Sequence, residues 1–166
     1  TSPTHEERLL ALLILIIHFN KAADPQKKII YHLYLKYTRY INNWDLVDLS
    51  APNIVGDYLL DRSRKPLYAL ARSRDLWKKR IAILATFRFI KQDDFADALA
   101  IAGMLIKDEH DLIHKAVGWM LREVGKRDMR TEEGFLKKHY RIMPRTMLRY
   151  AIERFPEEKR QRYLKG

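Results

Sequence analysis

Trp77-Lys78-Lys79-Arg80-Ile81-Ala82-Ile83-Leu84 places a basic residue immediately before an apolar helical run. The same arrangement returns along the chain. Arg8, Trp44, Arg80, Lys115 and Arg145 each put a basic or aromatic side chain at the head of such a run, at spacings of 36, 36, 35 and 30 residues. One turn further on, the equivalent positions are Leu12, Asp48, Leu84, Trp119 and Arg149. A period in the thirties is the pattern of stacked helical pairs, in which each pair buries its apolar face against the next. In such a stack the same register of every repeat lies on one surface. The spacing therefore predicts one surface carrying Trp44, Asp48, Arg80, Lys115, Trp119, Arg145 and Arg149. It holds one carboxylate between two indoles, ringed by cations. That combination suits a negatively charged polymer bearing a cationic or cation-forming centre.

The chain has 166 residues, enough for one domain or one short solenoid, and its 47% hydrophobic and 32% charged content describes a folded, soluble protein. It has no cysteine, which excludes disulfides and thiolate metal sites. No secretory signal is visible. The apolar run Leu9 to Ile17 is far shorter than the roughly 20 residues of a membrane span, and a buried helix explains it better. The charge is uneven. Residues 1–60 carry six Lys/Arg and six Asp/Glu, whereas residues 61–166 carry 26 and 15 and so supply the entire net charge of +11. A basic chain with its charge in one part favours a polyanion partner, although a Lys/Arg-rich solvated surface has the same composition.

Helix signals are dense and strand signals nearly absent. The coarse reading gives helices at 4–20, 25–41, 43–51, 53–60, 64–72, 74–91, 93–106, 109–125, 131–141, 144–154 and 156–164. Thr4 with Glu6 and Glu7 has capping-box spacing, Asp24-Pro25 reads as a cap followed by a first-turn proline, and Asn43 caps the helix of Trp44. Pro52 predicts a break. Ser73, Asp93, Asp108 and Thr131 are the expected openers of later helices, and Pro144 and Pro156 fit the first turns of the last two. No linker divides the chain, so residues 1–166 read as a single domain. The polar segment Glu157 to Arg162 suits a terminal repeat, whereas Leu9 to Ile17 reads like an interior helix. The expectation is a fragment of a longer chain lacking at least one helical pair before Thr1, with an exposed apolar patch on the first helix available for self-association.

Trp44 and Asp48 stand at i,i+4 and share a helical face, with Asp45 turned about a quarter turn away. A carboxylate beside an indole favours a developing cation through Coulomb attraction and the ring quadrupole. The competing reading is an ordinary first-turn aspartate beside a core tryptophan. Trp119 lies one turn after Lys115 and next to Gly118, which is costly inside a helix and marks a close approach there. A core tryptophan in an amphipathic helix has the same appearance. Lys78, Lys79 and Arg80 cluster at a helix start, where positive charge is disfavoured, so phosphate binding is the better account. Arg145 and Arg149, with Lys138 and Arg141, extend a basic track of the kind that positions a duplex without reading sequence. His110 and His114 stand at i,i+4, but Asp111 lies between them and no third ligand is evident, so no metal is expected. There is no glycine-rich phosphate loop and no nucleophile elbow.

Asn42-Asn43-Trp44-Asp45-Leu46-Val47-Asp48, Trp77-Lys78-Lys79-Arg80-Ile81-Ala82-Ile83 and His114-Lys115-Ala116-Val117-Gly118-Trp119-Met120-Leu121-Arg122-Glu123, with Met143-Pro144-Arg145-Thr146-Met147-Leu148-Arg149-Tyr150-Ala151-Ile152-Glu153, resemble the AlkD-like DNA alkylation repair family. The resemblance runs in order over essentially the whole chain. It implies an all-α fold, a right-handed α-solenoid of HEAT-like antiparallel helical pairs. It implies a monofunctional glycosylase that releases cationic N3- and N7-alkylated purines from double-stranded DNA in the bacterial cytosol, without a cofactor. Asp48 would be the catalytic carboxylate and Trp44 and Trp119 would flank the lesion's sugar and backbone. Arg80, with Lys79, Lys115, Arg145 and Arg149 along the basic surface, would hold DNA. Family members begin with further helices absent here. Two other readings remain: a helical-repeat protein that binds DNA without catalysis, and a protein-binding scaffold.

Overall fold

The computed structural model describes residues 2–165, and among them no strand occurs. Eleven α-helices follow one another among the described residues: α1 (His5–Lys21), α2 (Asp24–Lys36), α3 (Trp44–Ser50), α4 (Lys65–Ala71), α5 (Leu76–Ala85), α6 (Phe87–Ile90), α7 (Ala96–Leu105), α8 (Asp111–Arg127), α9 (Met129–His139), α10 (Arg145–Ala151) and α11 (Glu157–Lys165). The five helices that carry the repeated register pack in series: α1 on α3, α3 on α5, α5 on α8 and α8 on α10. Helices α2, α4, α7 and α9 back this row, α2 against α1, α4 and α7 against α5, and α7 and α9 against α8. The core runs between the two sets, through Phe19, Tyr34, Leu46, Ile54, Leu67, Ile81, Ile83, Phe89, Ile101, Ile113, Leu136 and Met147.

Most helices stand near where the apolar periodicity placed them. The expected helix 74–91 is split into α5 and α6, 25–41 ends at Lys36 before a 3-10 turn, and 53–60 begins inside the π-helical turn Ala51–Gly56. Several helices also start on other residues. Asn43 caps α3 as expected, its side chain accepting from the Trp44 amide at 2.8 Å. Thr4 makes no cap bond. Its amide instead donates to Ser2 Oγ, 3.0 Å away, and Ser2 also bonds Glu7. Asp24 is the first residue of α2 rather than its cap, and its carboxylate is taken by Arg62. Asp75 replaces Ser73, accepting from the amides of Trp77 and Lys78. The His110 ring replaces Asp108, and Asp128 replaces Thr131. Asp93 opens no helix. It takes a left-handed backbone, φ 59°, and pairs with Arg127. Where several cap-capable side chains lie within three residues, local sequence leaves the choice to tertiary partners.

Pro52 does not break the chain direction. A π-helical turn, Ala51–Gly56, continues α3. Proline lacks an N–H and its ring crowds the carbonyl four residues back, which here belongs to Asp48. Widening the turn relieves that crowding without ending the helix.

Gly118 has a structural partner. A Cβ at this position would meet the Met147 carbonyl oxygen and lie 2.5 Å from Tyr150 Cβ, so α8 and α10 touch backbone to backbone here. The close approach is the protein's own. On the outer side of the first two helices Leu10, Leu13, Ile14, Ile17, Ile29 and Leu33 are exposed, and α11 buries none of its residues.

Glu132 is 1% exposed and lies over Gly125, with its Oε1 unpartnered. Burial, and then the neighbouring Glu133 charge, push its carboxyl up to about 8 from an ordinary 4.5. Between those values the unfolded chain loses its proton while the folded chain keeps it. Stability therefore falls as pH rises across that interval and levels off above it. Two measurements check this packing. In urea unfolding, Gly118→Ala should cost about 2 kcal/mol through overpacking. Gly103→Ala, with nothing within 4 Å of the new methyl, should gain about 0.5–1 kcal/mol through helix propensity. Thermal midpoints of Glu132→Gln and the parent should nearly coincide at pH 4.5 and separate progressively up to about pH 8, the variant being the more stable. A constant gap would show that Glu132 ionises in the folded state as freely as in the unfolded one.

Candidate functional site

The register predicted from sequence converges on Arg80. It sits in the second turn of α5, and its side chain is only 5% exposed. Its Nε donates to Asp48 Oδ1 at 2.8 Å and its Nη2 to Asp48 Oδ2 at 2.7 Å. Its Nη1 donates to the Leu112 carbonyl at the start of α8. A guanidinium matches a carboxylate in this two-pronged form, which fixes orientation as well as distance. Asp48 is thus held rigidly, with 17% of its side chain still open.

Asp48 is not a first-turn aspartate. That position belongs to Asp45, whose Oδ1 accepts from the Leu46 amide at 2.8 Å and whose Oδ2 lies 2.8 Å from His5 Nε2. Nor is Trp44 a core residue. It begins α3 one turn before Asp48 and is 54% exposed. The pair is thus a second-turn carboxylate and an exposed indole rather than a first-turn aspartate beside a core tryptophan.

On α8, Lys115 follows Leu112 by one turn and lies close enough to Arg80 to feel its charge. Its ammonium sits 2.6 Å from Asp111 Oδ2. That hydrogen bond raises the lysine above its ordinary range and lowers the aspartate below its own. Trp119 comes one turn later and is half-buried, its ring 6.1 Å from that of Phe87. Its Nε1 donates to Glu123 Oε1 at 3.0 Å.

The basic track is less free than the sequence implied. Lys79 pairs with Asp108. Burial alone would raise the Asp108 carboxyl, but the bonds from Lys79 and the His110 amide bring it below the ordinary range. Arg145 donates to the Leu164 carbonyl at 2.7 Å, and Arg149 is exposed on α10. Lys79 and Arg80 thus counter acidic side chains of neighbouring repeats, which explains the cations at this helix start without a phosphate. The two histidines are occupied separately: His110 caps α8, and His114 Nε2 lies against the Asp108 carbonyl. Sequence reasoning missed three anchors, the Leu112 carbonyl, Asp108 and Glu123. A search for opposite charges just under one repeat apart finds Asp108, and the i,i+4 rule finds Glu123.

The structure brings Asp48, Arg80 and the first turns of α8 together directly, with Trp44 one turn from Asp48 and Trp119 two turns from Leu112. Arg145 and Arg149 lie one helix further along the row, on α10. Among the described residues no helix is long and apolar enough to cross a membrane.

The fold is similar to that of a solved structure described as a predicted DNA alkylation repair enzyme from Enterococcus faecalis. The TM-score is 0.73 at 15% identity, over 95% of this chain and 72% of that one. A search of curated proteins returns no match. The family profile of DNA alkylation repair enzymes matches residues 1–155, and this chain, with its Asp48–Arg80 pair inside the matched region, belongs to that family.

Proposed function

We propose that this chain is a monofunctional DNA glycosylase that hydrolyses the N-glycosidic bond of N3- and N7-alkylated purines in duplex DNA. The architecture that fits the serial packing of the register helices is a right-handed α-solenoid of HEAT-like pairs. The observation that carries the reading is the posture of Asp48: a carboxylate locked by Arg80, partly open, one turn from an exposed indole. Alkylation at N3 or N7 leaves the purine positively charged and already a good leaving group. The enzyme then has no need to protonate it. The barrier lies in the sugar, which develops oxocarbenium character as the bond breaks.

A fixed carboxylate stabilises that positive charge without reorganising at the moment of reaction, and it also orients the attacking water. The two indoles offer π faces to the same charge and exclude bulk water from it. Arg80 acts through Asp48 rather than on phosphate, since three of its donors are engaged within the protein. Phosphate contact falls to Lys115, Arg145 and Arg149. No step of this reading uses a lysine nucleophile, so it includes no Schiff-base strand cleavage.

A second reading has an observation of its own. Both Asp48 oxygens accept from Arg80, as they would in a purely structural ion pair, and a non-catalytic DNA-binding module needs nothing more. Asp48→Asn separates the two. A glycosylase loses about 10²–10³-fold in N7-methylguanine release, because a few kcal/mol of transition-state stabilisation disappear, while binding to undamaged duplex persists. Arg145→Ala acts differently: it weakens all duplexes alike and lowers the salt slope of binding by about one. Base release at the parent rate from Asp48→Asn, assayed below the variant's own melting temperature, would leave the binding-module reading standing.

A further inference from the structure

A carboxylate is an awkward neighbour for a polyanion, yet Glu123 lies one turn beyond Trp119 on the helix that also carries Lys115. It is not idle. Its Oε1 accepts from the Trp119 indole N–H at 3.0 Å and lies 2.6 Å from Lys126 Nζ. Arg122 Nε approaches the same oxygen at 3.8 Å, and the Glu123 side chain is 13% exposed. Lys126 thus holds the carboxylate and counters its charge, while Arg122 pairs with Glu153. On its other side the Trp119 ring meets Phe87, whose own outer face carries the Lys91 ammonium at 4.5 Å. An indole on a helix surface ordinarily samples several rotamers, and fixing one costs entropy at the moment of binding. Here a hydrogen bond at one end and an aromatic contact fix it beforehand.

We propose that Glu123 is a positioning residue for the reaction: it sets the orientation of the Trp119 indole before DNA arrives. The proposal rests on the reading of Trp119 as a site residue, and it adds the group that makes that residue effective. Glu123 touches neither substrate nor the reacting atoms. Glutamine can replace it, since its amide oxygen accepts the same hydrogen bond, whereas alanine cannot.

A double-mutant cycle with spectroscopy tests this. Single-turnover release of N7-methylguanine and affinity for undamaged duplex are measured for Glu123→Ala, Glu123→Gln, Trp119→Phe and the double variant Trp119→Phe with Glu123→Ala. The Trp119 indole N–H resonance is assigned by its loss in Trp119→Phe. Glu123→Ala should slow release by about tenfold, the equivalent of one lost hydrogen bond, and shift the indole N–H resonance upfield. Glu123→Gln should recover most of both. In the Trp119→Phe background Glu123→Ala should add nothing, because the group it positions is gone. Affinity for undamaged duplex should rise slightly or stay level in Glu123→Ala, since a negative charge is removed. Additive losses in the double variant would place the effect of Glu123 elsewhere and overturn the proposal. So would parent-rate release by Glu123→Ala beside a slow Trp119→Phe, and that pattern leaves the site reading intact. Parent-rate release by Trp119→Phe itself would sink the role of Trp119 and this proposal together.

Discussion

One guanidinium joins three successive helices of the register row. Arg80 projects from α5, grips Asp48 on α3 with two nitrogens, and reaches the Leu112 carbonyl on α8 with the third. Its burial removes it from water, so leaving it unpaired costs several kcal/mol, about 3–5 for a buried pair broken on one side. The three helices are therefore locked in one mutual position at the point where the carboxylate must face outward. The same contact explains why Arg80 is buried at a register position where Trp44 and Arg145 stand exposed.

Similar ties recur along the stack. Arg64 bonds Asp94 and Asp97 at separations of 30 and 33 residues, Lys79 bonds Asp108 at 29, and Arg122 bonds Glu153 at 31. Asp57 is shared between Lys27 of the preceding segment and Arg88 of the following one, at 3.5 and 2.7 Å. Each separation is one period less about one helical turn, which is what adjacent parallel helices require of side chains that reach diagonally. Most of these pairs are partly buried, Lys79 with Asp108 and Arg64 with Asp97 most of all. Together they tie each repeat to the next along the whole row. A repeat protein stabilised chiefly between neighbours needs such a device at each joint.

The sequence disclosed the large features because they are periodic. The helical class, the serial order and the meeting of Asp48 with Arg80 across one period agree with the spacing, and the short resembling stretches fall inside the matched family region. What it withheld is what periodicity does not encode. Ser73 and Asp75 are both competent caps, and the choice depends on where the rest of α5 must sit. Pro52 reads as a stop, yet a wider turn costs less than ending a helix whose Leu46, Val47 and Ile54 are all buried. Arg80 reads as a free cation because its partner is thirty-two residues away and nothing local marks the pairing. Gly118 reads as a point of close approach, and only the structure shows that what approaches is the backbone of α10.

That last contact sets a scale. Packed helices ordinarily stand about 8–10 Å apart, and a nucleic-acid strand advances about 3.4 Å per nucleotide. Side chains in matching register on successive helices thus meet a strand laid along the row at about every third nucleotide. The missing side chain at Gly118 lets α8 and α10 approach until backbone meets backbone, closer than a larger residue there would allow. The row of helices is in effect a ruler with unequal divisions. Two of its joints close over a glycine, Gly56 against the Ala85 carbonyl between the π-helical turn and the end of α5, and Gly118 against the Met147 carbonyl between α8 and α10.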